Sequence, residues 1–176
     1  MPSFLDDISS FYGTGEKNEK GQTLEEFLKE YDPYQYKNPC ATTDMVLFSY
    51  AGEKPDTDAL KVLLVCRKNH PSIGYWALPG GFVELYENLE DTARRELEEE
   101  TGYCSDDLTR ILSLKTTVAF CDEFIDVYLA KNLKPGHQHL DEGEFIDVAA
   151  YEVDELCDMI YAGTIQDAKT VAGILA

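Results

Sequence analysis

Four glutamates, Glu96, Glu98, Glu99 and Glu100, crowd one short stretch that ends at Gly102. Carboxylates serve chemistry as hard oxygen ligands for a divalent cation or as proton acceptors toward a reacting group. Composition alone decides nothing, because an acidic run is ordinarily a solvated face. Spacing separates these residues. On a helix that starts at Asn88 and advances about 100° per residue, Leu89, Ala93 and Leu97 form a buried stripe. Glu96 and Glu100 fall on the same side as that stripe, and Glu99 falls just beside them. Arg94 and Glu98 fall on the far side and are expected to be solvated. Two like charges one turn apart, turned inward at the negative end of a helix, oppose folding unless something compensates them. A hard cation such as Mg²⁺ is the natural compensation. Arg95, one turn before Glu99, can hold that carboxylate by an i,i+4 pair.

The helix that carries these groups has legible ends. Asn88 is the expected N-cap, with Asp91 at the N3 position of a capping box. Gly102 suits the left-handed residue that follows a helix. Around it, the strand period dominates. "TTDMVLFSY" and "LKVLLVCRK" read as two strands joined by the turn signals of "AGEKPDTDA", and "GYWALPGGF" as a short strand ending in the pair Gly80–Gly81. "ILSLKTTVAF", "FIDVYLAKNL" and "FIDVAAYEV" are further strands, and "PGHQHLDEGE" is a loop. "DELCDMIYAG" and "TIQDAKTVAGILA" are closing helices, the second with Thr164 as N-cap. Residues 1–38 differ from the rest. There Thr23 and Glu26 make a capping box for a helix with Leu24, Phe27 and Leu28 on one face, ended by Pro33. They form an N-terminal extension, a lid or an interface, ahead of one domain over 39–176. Mixed strands around few helices indicate an α/β or α+β sandwich.

The 176 residues suffice for one domain with a real core, and 44% of them are hydrophobic. The formal net charge of -19 repels nucleic acid and anionic membranes, so neither is an expected partner. It also repels a phosphate-bearing substrate unless cations sit between. Five scattered cysteines without a C-x-x-C pair argue against a disulfide framework or a zinc site. Cys66 and Cys121 lie in apolar runs and read as small core residues. No apolar run approaches the roughly 18 residues of a membrane span. The start "MPSFLDDISS" lacks the basic residues of a signal peptide, so the expected location is the cytoplasm.

Gly81, five residues, Glu87, seven residues, then "RELEEETGY" from Arg95 resembles the Nudix box, G-x5-E-x7-R-E-U-x-E-E-x-G-U, where U is aliphatic. Gly81, Glu87, Arg95, Glu96, Glu99, Glu100 and Gly102 match the fixed positions, Leu97 matches the first aliphatic one, and Tyr103 departs at the last. The resemblance implies a Nudix-type α/β/α sandwich with a mixed β-sheet, here with a helical N-terminal extension. It implies Mg²⁺-dependent hydrolysis of a nucleoside diphosphate linked to another moiety, with Mn²⁺ able to substitute. Carried over by position, Glu96, Glu99 and Glu100 with the Gly80 carbonyl are the metal ligands, Glu99 directly or through water. Glu87 and Arg95 support them. The glycine pair has a physical reason: backbone without Cβ lets a carbonyl reach the cation and phosphates approach Gly81.

The tail "DEGEFIDV…DELCDMIYAGTIQDAKTVAGIL" is similar to the ADP-ribose pyrophosphatases, which implies ADP-ribose as substrate, with AMP and ribose 5-phosphate as products. In that alignment Glu144 is the base that takes a proton from the attacking water, and Glu142 is the runner-up. The proline often found about 16 residues past the box in that branch is absent. A homodimer is compatible with the resemblance, although residues 1–38 lack the strand pair that typical members exchange. Nucleotide sugars, dinucleoside polyphosphates and oxidised nucleotides are rival substrates. RNA decapping is disfavoured by the charge. A non-catalytic sensor is the rival of another class; it is expected to carry a basic winged-helix module, and none follows before Ala176. Arg67 and Lys68 either hold phosphates or form a solvated strand end. Trp76, with Tyr75, either stacks a base or packs in the core. His137 and His139 form an H-x-H pair outside any cysteine/histidine constellation.

Overall fold

The computed structural model describes residues 12–31, 41–49, 60–84, 86–117, 123–141 and 144–176. The first helix, α1 (Leu24–Glu30), starts at the expected reciprocal box: Thr23 caps Glu26 N, and the Glu26 carboxylate accepts from Thr23 N at 2.8 Å. Leu24 is buried, with Phe27 and Leu28 half-buried beside it. Pro33 lies outside the described residues. This N-terminal region docks on the segment before the glycine pair. Thr14 N donates to Ile73 O at 2.9 Å, Asn18 Nδ2 to Asn69 Oδ1 at 2.9 Å, and the Phe27 ring sits 5.8 Å from the His70 ring.

The sheet is organised on β1 (Ala41–Ser49), whose run Thr43–Leu47 is buried on both faces. Its stretch Met45–Phe48 runs apolar without alternation, as expected for a strand covered on both sides, and Thr43 and Asp44 are buried polar residues ahead of it. The remaining strands are β2 (Lys61–Arg67), β3 (Trp76–Ala77), β4 (Gly80–Phe82), β5 (Tyr103–Cys104), β6 (Asp107–Lys115), β7 (Phe124–Lys131), β8 (Lys134–Pro135) and β9 (Ile146–Glu152). Among the described residues, seven strands form one mixed sheet in the order β3-β2-β1-β7-β6, with β4 paired to β1 and β9 to β2. The β1–β7 pair is parallel; β4 runs antiparallel to β1 and sets Asp44 opposite Gly80 and Thr43 opposite Gly81.

Helices cover both faces. On one side α2 (Leu89–Thr101) buries Ala93 and Leu97 against Met45, Leu47 and Leu63. On the other, α3 (Val153–Tyr161) and α4 (Ala168–Leu175) pack Leu156, Val171 and Ile174 against Val46, Val62, Leu64 and Val127. This is the expected α/β/α sandwich. Successive residues of β1 and β2 enter opposite cores, which is the period-2 alternation of a strand. Among the described residues no helix is long and apolar enough to cross a membrane.

Five local expectations are corrected. Thr164 does not cap α4: its N–H closes α3 on Met159 O at 2.9 Å, while Asp167 caps α4 by accepting from Thr170 N at 3.0 Å. The strand expected from Ile111 begins at Asp107, because "DLTR" pairs with the end of β7 along an exposed edge and shows no apolar alternation. The two-residue strands β5 and β8 pair with each other and are too short to carry a period. Glu98 is half-buried instead of solvated, its carboxylate accepting from His137 N at 3.4 Å. Cys66 is half-buried, and Cys121 lies outside the described residues.

Candidate active site at the glycine pair and helix α2

The helix ends fall where the sequence sets them. Asn88 Oδ1 accepts from Glu90 N at 3.1 Å and Asp91 N at 2.9 Å. The Asp91 carboxylate bonds the Asn88 side-chain amide, so the box closes side chain to side chain. Gly102 ends the helix at φ 71°, a left-handed conformation that favours glycine. The acidic last turn is not left with bare carbonyls. The loop after β8 supplies donors: His139 N to Glu99 O at 3.1 Å, Gln138 Nε2 to Glu100 O at 2.7 Å, and Gly136 N to Gly102 O at 2.7 Å. Neutral N–H groups thus satisfy the orphan carbonyls that a basic last turn would otherwise help to hold.

Arg95 organises the carboxylates. Its Nε and Nη2 donate to the two oxygens of Glu87 at 3.2 and 3.1 Å, a bidentate pair. Nη1 donates to Glu96 Oε1 and Glu99 Oε2, both at 2.8 Å, which includes the expected i,i+4 contact. Nη2 also reaches Phe82 O at 3.1 Å and so ties the helix to β4. Although burial works against its charge, the Glu87 and Glu96 carboxylates hold Arg95 protonated. The Arg95 bond, with help from Thr92, holds Glu87 below the usual carboxylate range.

The inward pair behaves differently. Glu100 is 5% exposed and accepts from Gly80 N at 2.7 Å. Burial, with Glu144, Glu96 and Asp44 nearby, pushes its carboxyl well above the ordinary range despite that bond. Burial also pushes Glu96 up to about 7, against the pull of Arg95. Gly81 makes room for it: a Cβ there would stand 2.4 Å from Glu96 Oε1. Glu144 acts electrostatically on both Glu96 and Glu100. Burial of its carboxyl group, and Asp141, raise its own pKa, while Arg67 lowers it. Its residue as a whole remains exposed at the surface, so the group sits at the rim, open to solvent on one side. Glu142 lies outside the described residues.

The structure thus brings together Gly80, Gly81, Glu87, Arg95, Glu96, Glu99 and Glu100, with Glu144 within electrostatic reach of Glu96 and Glu100. Arg67 lies within electrostatic reach of Glu144, with its Nε on Pro71 O at 3.1 Å. Lys68 is paired to Asp147 at 2.7 Å on an exposed surface. Trp76 is half-buried on the α3/α4 side, edge-on to Tyr151 with centroids 5.1 Å apart, and belongs to that core. Tyr75 is half-buried. His139 Nε2 stands 3.7 Å from Glu99 Oε1, and its ring stacks on His137.

One buried group went unread in the sequence. Asp44 is 1% exposed, and neither carboxylate oxygen has a hydrogen-bond partner. Lys169 Nζ stands 3.6 Å away, and burial pushes Asp44 up to about 7. Its signal was a lone carboxylate in an apolar strand, a position seldom left unpaired.

Residues 48–173 match the NUDIX domain family. The chain belongs to the Nudix family. The Nudix domain is 36% identical over 121 residues to an ADP-ribose pyrophosphatase of Bacillus subtilis, covering 67% of this chain and 65% of that protein. It is 42% identical over 90 residues to an ADPR-responsive transcriptional repressor of Acinetobacter baylyi, covering 50% and 34%. Among solved structures it resembles the NUDIX domain of Shewanella oneidensis NrtR complexed with ADP ribose, with a TM-score of 0.50 and 30% identity over 78% of this chain and 88% of that one. The chain spans less than two thirds of the length of either curated relative.

Nudix hydrolases generally use divalent cations, and the donor set here fits one. The buried Glu100 carboxylate and the half-buried Glu96 and Glu99, with Glu144 at the rim, outnumber the cations that reach them, and hard oxygens suit Mg²⁺ or Mn²⁺. Among the described residues no three acidic, histidine or cysteine side chains close on one point as they stand. The cause is visible: Arg95 draws Glu96 and Glu99 toward itself, and Glu100 turns to Gly80 N.

Proposed function

We propose that this Nudix domain hydrolyses the diphosphate linkage of ADP-ribose to AMP and ribose 5-phosphate. The observation that carries the reading is the cluster of box carboxylates at the glycine pair: Glu87, Glu96 and Glu99 on Arg95, and the buried Glu100 on Gly80 N. The likeness to an ADP-ribose pyrophosphatase supports the choice of substrate. Glu96, Glu99, Glu100 and the Gly80 carbonyl would hold a Mg²⁺ or Mn²⁺ ion, which would supply positive charge for the diphosphate and acidify a water.

The residues of the chain do the rest. Glu144 takes a proton from water as its oxygen bonds one phosphorus; the bridging oxygen leaves with the other phosphate. The raised pKa of Glu144 suits that role, because a base works best with a pKa near the operating pH. Arg95 gathers Glu87, Glu96 and Glu99 on one guanidinium, which keeps the ligands close together; Glu96 and Glu99 would turn from it to meet an ion. Gly81 leaves backbone room for the diphosphate. Arg67, exposed beside Glu144, is the nearer phosphate donor; Lys68 can assist, since an exposed pair with Asp147 holds it weakly. Trp76 serves the core, which leaves the adenine contact to other groups. The scattered cysteines support a cytoplasmic setting.

A sensor that binds ADP-ribose without cleaving it is the second reading, favoured by the likeness to an ADPR-responsive repressor. Turnover separates the two. ADP-ribose, nucleotide sugars, diadenosine polyphosphates and NTPs are incubated with Mg²⁺ and the products analysed. ADP-ribose is expected to be cleaved with the highest kcat/KM. Binding without turnover assigns the sensor, and an NTP preferred about tenfold, which is 1.4 kcal/mol of transition-state binding, rejects the ADP-ribose branch.

A further inference from the structure

A line of hydrogen bonds and one ion pair runs from the last helix to the segment that carries the glycine pair. Leu78 N donates to Thr170 Oγ1 at 2.9 Å, and Thr170 Oγ1 donates to Asp167 Oδ2 at 2.6 Å. Lys169 Nζ donates to both Asp167 oxygens at 3.0 Å and stands 3.6 Å from Asp44 Oδ1. Asp44 lies opposite Gly80 in the β1–β4 pair, and Met45 N donates to Pro79 O at 2.8 Å. Contact is close: a Cβ on Gly80 would come within 2.9 Å of Asp44 Oδ1 and 2.2 Å of Thr43 O. Leu78, Pro79 and Gly80 are therefore each held from the α4 side or from β1, while Gly80 N is held by Glu100 from α2.

A buried ion pair is a poor way to anchor a helix. Desolvation offsets most of the attraction, and apolar residues of the same size usually do as well. Thr170 is fully buried and Lys169 mostly so, in a helix whose other inward residues are apolar. What the polar line gives, and an apolar contact does not, is direction. It fixes the backbone of residues 78–80 relative to Glu100.

We propose that Lys169 and Thr170 are positioning residues for the cation site. Through Asp44 and Leu78 they hold the segment that carries Gly80 at the height where its carbonyl and Glu100 serve one ion. Lys169 also offsets the Asp44 carboxylate, which otherwise adds its repulsion to Glu100. This rests on the metal-dependent reading above, and the test keeps the two apart.

Mn²⁺ binding to the full chain is measured without substrate, from the free-ion electron paramagnetic resonance signal. The proteins are the wild type, Lys169→Met, Lys169→Arg and Thr170→Val, each with a thermal melt. Lys169→Met is expected to weaken Mn²⁺ binding about 10–100-fold, the range for losing a group that orients ligands. Thr170→Val is expected to weaken it about 10-fold on the same ground, and Lys169→Arg to recover most of the loss. At saturating Mg²⁺ the KM for ADP-ribose stays within about twofold of wild type, since uniform substrate binding is untouched. A folded Lys169→Met or Thr170→Val protein that binds Mn²⁺ as the wild type does overturns the proposal, whatever its melting temperature. So does an arginine variant no better than the methionine one. If Lys169→Met fails to fold, Thr170→Val decides in the same way. A wild type that binds no Mn²⁺ overturns the metal reading itself, and the positioning role with it.

Discussion

Two acid–base groups flank the glycine pair, and they are balanced differently. On the α4 side, Lys169 faces Asp44 and Asp167, and Thr170 bridges Asp167 to Leu78 N. On the α2 side, Arg95 faces Glu87, Glu96 and Glu99, with His139 at 3.7 Å from Glu99, while Glu100 accepts from the Gly80 backbone and Glu144 stands at the rim. In the first group Asp167 is fully bonded, and Asp44, raised to about 7 by burial, has Lys169 at 3.6 Å as its counter-charge. The second keeps an excess of negative charge in a half-buried place, and Glu96 and Glu100 show the strain in raised pKa values. Excess charge that folding alone does not require is where an external cation and a reacting water belong.

Removing groups from the α2 side should therefore cost activity far more than stability. Glu144→Gln is expected to lower kcat about 10²–10⁴-fold with little change in KM, the usual range for a lost general base. Steady-state kinetics on ADP-ribose check this; near-wild-type kcat moves the base to Glu142 or Glu99. Glu100→Gln is expected to lower kcat about 100-fold, the scale of one lost electrostatic contact in the transition state. The same change relieves inward repulsion, so the metal-free variant should melt higher than the wild type. A lower melting point breaks the contrast between the two sides.

The pH dependence sharpens it. Glu96 has a pKa of about 7 in the folded protein against an ordinary 4.5, and Glu100 is shifted the same way. Burial leads both shifts. Between those values the folded state binds more protons than the unfolded one, so stability falls as pH rises. Metal-free protein is thus expected to be most stable near pH 4.5 on account of these groups and to lose that contribution through pH 7. Saturating Mg²⁺ should flatten the loss, because a bound cation stabilises the ionised carboxylates. Melting curves from pH 5 to 8, with chelator and with Mg²⁺, measure both. The smallest effect is expected at Lys68→Ala, outside both groups: its exposed pair with Asp147 is worth under about 1 kcal/mol. A larger loss in the melting curve gives that pair a role the geometry does not show.

The same contrast governs what the sequence reveals. The α2 group sits on one helix and one adjoining turn, so its spacing, caps and inward acids are legible from residue order, and so is the i,i+4 contact of Arg95 with Glu99. The α4 group is assembled by topology: β1 and the last helix supply Asp44 and Lys169 from opposite ends of the domain, and no local period links them. Thr164 looked like a cap because it precedes the helical stretch, yet α3 claims its N–H and Asp167 takes the role. Glu98 lies on the far side of α2 as expected, but the loop after β8 folds over it. Trp76 left two readings open, and the Tyr151 contact selects the core.

ADP-ribose hydrolysis with and without chelator is the most direct test of the α2 carboxylates as a cation-dependent catalytic centre. AMP and ribose 5-phosphate should form with Mg²⁺, stop forming in excess chelator, and form again when Mg²⁺ is restored. Undiminished turnover in chelator, or no turnover with any divalent cation, contradicts it.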